Sequence, residues 1–127
     1  MSRPVVVLAT VIALLAGTAA SASAHAFLVK SIPAARAMLS RVPDRVQLWF
    51  NERLEPAYSS VSVWDAAGAQ VDTRDGRVSP DDPRRLEITL GPLSAGRYVV
   101  RFRVLSVDGH IVESTLPFTV KLDSKSP

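Results

Sequence analysis

The sequence predicts an all-β domain, a sandwich or barrel of about seven short strands. Three observations lead there. Apolar and polar residues alternate with period two in several short stretches, Gly, Pro and Asp clusters punctuate those stretches, and the nine prolines with no long 3.6-residue period leave little room for helix.

The elements follow in order. Arg3 supplies a positive start, Val5 to Leu15 an apolar run, and Ala22-Ser23-Ala24 a small-x-small cleavage pattern, which together read as an export signal. The apolar run is shorter than the roughly 20 residues needed to span a bilayer. Cleavage after Ala24 is therefore expected, leaving a mature chain of 103 of the 127 residues that begins at His25. That length suits one domain with a single modest core, spanning residues 25–122. Ala34 to Arg41 is compatible with a helical turn. Strands are expected at Val46 to Phe50, Ser60 to Trp64, Leu86 to Leu90, Arg97 to Val104 and Leu116 to Val120. In the longest, Tyr98, Val100, Phe102 and Val104 share one face while Arg101 and Arg103 take the other, the signature of a half-buried antiparallel strand. Pro117 predicts an edge or bulge in the last strand. Val71 to Arg85 is polar and rich in Asp, Arg and Pro, and reads as a surface loop. Trp49, Trp64, Tyr98, Phe102 and Phe118 fall on strand patterns and are expected to pack in the core. Residues 123–127 are polar and expected to fray.

Composition excludes several function classes. Without the leader, 14 Lys and Arg face 12 Asp and Glu, a net charge of +2 scattered among acids, which is no basis for binding nucleic acid or an acidic membrane. Cysteine is absent, so neither disulfides nor thiolate chemistry is available, and any metal site must use N and O donors. No later stretch is apolar for long enough to cross a membrane, so a soluble, monomeric product in the periplasm or outside the cell is expected. No nucleotide loop, catalytic triad or zinc-finger spacing is present.

The chain has two histidines, one at the expected mature terminus and the other in Ser106-Val107-Asp108-Gly109-His110. A terminal His offers its amine, of ordinary pKa about 8, and its ring Nδ1 to the same ion. With Asp108 and His110 the set becomes three nitrogens and a carboxylate oxygen, which suits tetragonal Cu(II), the tightest divalent binder for such donors. The competing reading makes His25 a solvated terminus, Asp108-Gly109 a hairpin turn and His110 a surface residue beside it. Spacing alone leaves both open, because Asp and His two apart share a side if the backbone is extended, whereas a turn at Gly109 needs its own geometry to converge them.

The mature start HAFLVKSIPAARAML, the stretch VQLWFNERLEPAYSSVSVWDAAG with its Phe-x-Glu-x-x-Glu at Phe50, Glu52 and Glu55, and LSAGRYVVRFRVLSVDGHIVESTLPFTV resemble the CopC family of periplasmic copper-binding proteins. The resemblance covers nearly all of the mature chain. It implies a Greek-key, immunoglobulin-like β-sandwich that holds one Cu(II) through His25, Asp108 and His110. It also places Glu52 near the copper as a supporting or occasional ligand, against the alternative of a solvated charge at a strand end. Met38 is the sole methionine after the leader, so the Met-rich Cu(I) loop of some members is missing, and Met38 is expected to pack in the core or a loop. Phe27 stands where some relatives carry a second histidine, and Ser114 where the family often has glycine.

The function expected is that of a copper carrier or scavenger, with a membrane copper transporter or a secreted cuproprotein as partner and no catalysis. Two rivals remain at this stage: an oxidase using an amino-terminal copper brace, and a metal-free immunoglobulin-like interaction module.

Overall fold

The computed structural model describes residues 26–122, so the expected leader, His25 and the tail from Asp123 lie outside the described residues. Eight strands are present among them: β1 (Leu28–Ile32), β2 (Ala37–Leu39), β3 (Arg45–Phe50), β4 (Ser60–Asp65), β5 (Arg77–Ser79), β6 (Asp82–Thr89), β7 (Gly96–Leu105) and β8 (Ile111–Val120), with one 3-10 turn at Pro56–Tyr58. They form two four-stranded sheets of order β1-β3-β6-β5 and β2-β8-β7-β4. Only β5–β6 and β7–β8 join sequence neighbours within a sheet. Every other connection crosses between the sheets, and this interleaving closes the sandwich around one core.

Alternation builds that core as expected. Val46, Leu48 and Phe50 from β3, Val61 and Val63 from β4, Leu86 and Ile88 from β6, Tyr98 through Val104 at every second residue of β7, and Leu116, Phe118 and Val120 from β8 are all buried. Phe50 meets Phe102 edge-on at 5.4 Å between centroids, and Tyr98 stacks on Phe118 at the same separation. The Tyr98 hydroxyl donates to the Ser94 carbonyl at 2.6 Å and ties the preceding loop to the core. Among the described residues no buried side-chain polar atom lacks a partner, and no helix is long and apolar enough to cross a membrane.

Five expectations are corrected. The Val71 to Arg85 stretch is not all loop, because β5 and the start of β6 lie within it and Val78 and Ser79 are buried. Its charges stand on the outer face, where Arg77 and Arg85 both pair with Glu87, and a three-residue strand is too short to show alternation. Ala34 to Arg41 holds β2, which pairs parallel with β8, in place of a helical turn. Pro117 interrupts nothing: β8 keeps its register with β7 from Gly96↔Val120 to Leu105↔Ile111 and lies inside its sheet. The Pro117 carbonyl accepts the Arg36 N–H at 2.6 Å, so this residue turns its backbone polar groups toward β2, just before the parallel pairing begins. The missing N–H therefore falls outside the β7 ladder. Trp49 and Trp64 do not pack in the core. They lie half-buried on the outer faces, with Lys30 4.9 Å above Trp49 and Arg101 4.7 Å above Trp64. Met38 is likewise exposed, on the outer side of β2.

Candidate metal centre

Five residues, Ser106 to His110, join β7 to β8. The Ser106 N–H donates to the His110 carbonyl at 3.0 Å and the Gly109 N–H to the Ser106 carbonyl at 2.8 Å, so the hairpin closes on a short turn. Gly109 sits at φ 95°, the left-handed position where such a loop takes glycine. The hairpin turn offered by the bland reading is thus present, yet it brings Asp108 and His110 together. The two side chains converge because the turn folds Asp108 back: its Oδ1 lies 3.3 Å from His110 Nδ1 and also accepts the Ser106 hydroxyl.

An ionised carboxylate only accepts, so the His110 contact calls for a proton on Nδ1, and a neutral ring so protonated keeps Nε2 as its acceptor. The Ser106 hydroxyl first, and His110 after it, hold the Asp108 carboxyl below its ordinary range, against a smaller opposing effect of desolvation. Both side chains remain open to solvent, at 31% exposure for Asp108 and 47% for His110. An anionic oxygen and an imidazole within one accessible turn are donors of the kind a borderline divalent cation takes.

The segment after β3 anchors this turn. Val107 N–H donates to the Arg53 carbonyl at 3.0 Å, Glu55 N–H to the Leu105 carbonyl at 2.8 Å, and Leu54 bridges to Ser106. Buried Leu54 also reaches the Pro83 carbonyl at 2.9 Å and so fixes the segment to β6. Two residues earlier the same segment holds the start of the described chain. Asn51 N–H donates to the Phe27 carbonyl at 3.1 Å, and Phe27 N–H donates to Asn51 Oδ1 at 2.5 Å. Ala26, the residue after His25, is 1% exposed and belongs to the core cluster. Residues 51–53 therefore tether both the beginning of the sandwich and the Asp108–His110 turn.

Glu52 lies between those tethers, half-buried. Among the described residues no three His, Cys, Asp or Glu side chains group to hold an ion, so Glu52 does not complete a site with Asp108 and His110. Sequence reasoning missed Asn51 and Ser106. Asn51 carried no signal. Ser106 did, because it occupies the inward position that follows Tyr98, Val100, Phe102 and Val104, where alternation calls for an apolar residue.

A family model described as the CopC domain matches residues 28–121. The chain belongs to the CopC family. The crystal structure of CopC from Methylosinus trichosporium OB3b is 42% identical, with a TM-score of 0.73, and the match covers 81% of this chain and 100% of that one. PcoC from Escherichia coli, described as a methionine rich copper resistance protein, is 31% identical with a TM-score of 0.65 over 77% of this chain and 100% of its own. "Copper transport protein CutJ" of Bacillus subtilis (strain 168) is 31% identical over 98 residues, which is 76% of this chain but 18% of that protein. The region that matches is thus a small part of a much longer chain. Family and sandwich fold agree with the sequence reading, and where PcoC is described as methionine rich this chain has one methionine, Met38, after Met1.

Proposed function

We propose that this CopC protein is exported, loses residues 1–24, and holds one Cu(II) ion per chain through the His25 amine and ring, Asp108 and His110. The observation that carries the reading is the shared tether. Residues 51–53 bind Phe27 on one side and the Asp108–His110 turn on the other, so the start of the described chain and the turn lie at one pole of the sandwich. Two donors on the turn do not make a tetragonal set, and a chelating terminal His adds the two nitrogens that complete it. Copper here is cargo. The half-exposed donors suit capture and release in the periplasm or outside the cell, with a membrane copper transporter or secreted cuproprotein as the exchange partner and no catalytic step. Glu52 serves as a nearby carboxylate in the same segment. The single exposed thioether of Met38 offers no soft cluster for Cu(I).

The test is a Cu(II) titration of protein beginning at His25 beside a version with one extra residue before it. The expected result is one tight equivalent and a nitrogen-rich tetragonal electron paramagnetic resonance spectrum from the first protein alone. Affinity falls as pH drops from about 8 to about 6, because an α-amine and imidazoles bind copper only when deprotonated. Equal behaviour of the two versions would overturn the amino-terminal site.

A further inference from the structure

Ser106 is 0% exposed and continues a row of inward residues that is otherwise apolar. Burying a hydroxyl in such a row is costly unless it is hydrogen-bonded, and alanine would fill nearly the same volume without that cost. The hydroxyl is engaged: it donates to Asp108 Oδ1 and lies 3.4 Å from the His110 carbonyl. Burial locks the Ser106 rotamer, and the Ser106 backbone is held by His110 and by its bridge to Leu54. The donor is therefore fixed to the core while its acceptor stands in a half-exposed turn. Asp108 Oδ1 in turn faces His110 Nδ1 at 3.3 Å.

Resting on the copper reading above, we infer that Ser106 is a positioning residue for the metal centre: its buried hydroxyl holds the Asp108 carboxylate, which orients the His110 ring with Nδ1 turned inward and Nε2 toward the ion. Core packing is transmitted to the donors through two successive hydrogen bonds, and the pair is organised before any ion arrives. Supporting bonds of this kind are worth roughly 10–100-fold in metal affinity when removed.

The experiment compares wild type, Ser106→Ala, Asp108→Ala and the double variant, each starting at His25, by competitive Cu(II) titration, paramagnetic resonance and 15N spectra of the His110 ring in the apo protein. Ser106→Ala is expected to bind Cu(II) about tenfold more weakly, with altered resonance parameters. In the Asp108→Ala background the same change is expected to have no further effect. The wild-type apo ring is expected to carry its proton on Nδ1 and to lose that preference in Ser106→Ala. A wild-type ring protonated on Nε2 overturns the inference whatever the variants do. So does an unchanged affinity and spectrum in Ser106→Ala, or an equal loss with and without Asp108, which marks a purely structural role. Failure of wild type to bind Cu(II) at its terminus instead removes the copper reading, so the two failures are distinguishable.

Discussion

Gly109 carries the geometry of the turn. At φ 95° an L-residue is strained, and a Cβ there would meet nothing within 4 Å, so the cost of a side chain is backbone conformation alone. Gly109→Ala is expected to lower stability by about 1–2 kcal/mol and to weaken Cu(II) binding by loosening the Asp108–His110 pair, while Gly109→Asn, which tolerates this region, loses less. Thermal unfolding and titration of both variants check this, and equal behaviour of Ala and Asn would show that strain is not the cause. The proposed donors stood out by residue type, because two histidines and one neighbouring Asp in a cysteine-free chain are few. The convergence of Asp108 and His110 was not legible. It depends on a left-handed glycine and on a hydroxyl buried beneath the turn, and neither the φ angle nor the burial can be read from spacing.

Long strands were readable wherever both faces showed. β3, β4 and β7 coincide with alternating stretches, and the stretches expected at Leu86 to Leu90 and Leu116 to Val120 cover the second halves of β6 and β8, since one face is apolar and the other is wet. The short strands β2 and β5 were not, because three residues give alternation no length and β5 sits amid charges that pair across the outer face. Alternation was also overruled in the reading of the tryptophans. Trp49 sits between the buried Leu48 and Phe50 and must point outward, where cationic side chains cover it. Its position yields an element-level expectation. Trp49 is two residues from Asn51, at the pole of the proposed metal centre, whereas Trp64 lies near the far end of β4. Quenching of fluorescence by Cu(II) is expected to disappear largely in Trp49→Phe with the titration end point unchanged, and to persist in Trp64→Phe. Persistence in both would place the ion elsewhere.

Across the whole molecule the charges are sorted. Lys30, Arg77, Arg85, Arg101 and Arg103 lie on the two sheet faces, engaged with Trp49, Trp64, Glu87 or Glu113. At the pole formed by residues 51–55, the β5–β6 turn and the β7–β8 turn, Glu52, Glu55, Asp81, Asp82 and Asp108 outnumber Arg53 and Arg84. A weakly basic protein thus presents its acidic end where the proposed donors are. Exposed charges steer ions over a screening length of about 8–10 Å at ordinary salt. The rate of Cu(II) association, measured by stopped flow, is therefore expected to fall severalfold between about 10 and 150 mM salt. Asp81→Lys should slow it at low salt without changing dissociation. A salt-independent rate would show that the pole plays no part in capture.

The burial of Ala26 and the two hydrogen bonds between Phe27 and Asn51 leave the chain no slack at its entrance. Processing fidelity thereby becomes a structural parameter. A peptidase that cut one residue late would deliver a chain starting at Ala26, with the imidazole and its partner amine both gone. One that cut a residue early would keep the imidazole and carry the amine about 3.5 Å further along the backbone. Both products would fold alike and pass any assay of secondary structure, so on the copper reading the intact mass of the amino terminus decides whether a preparation is competent.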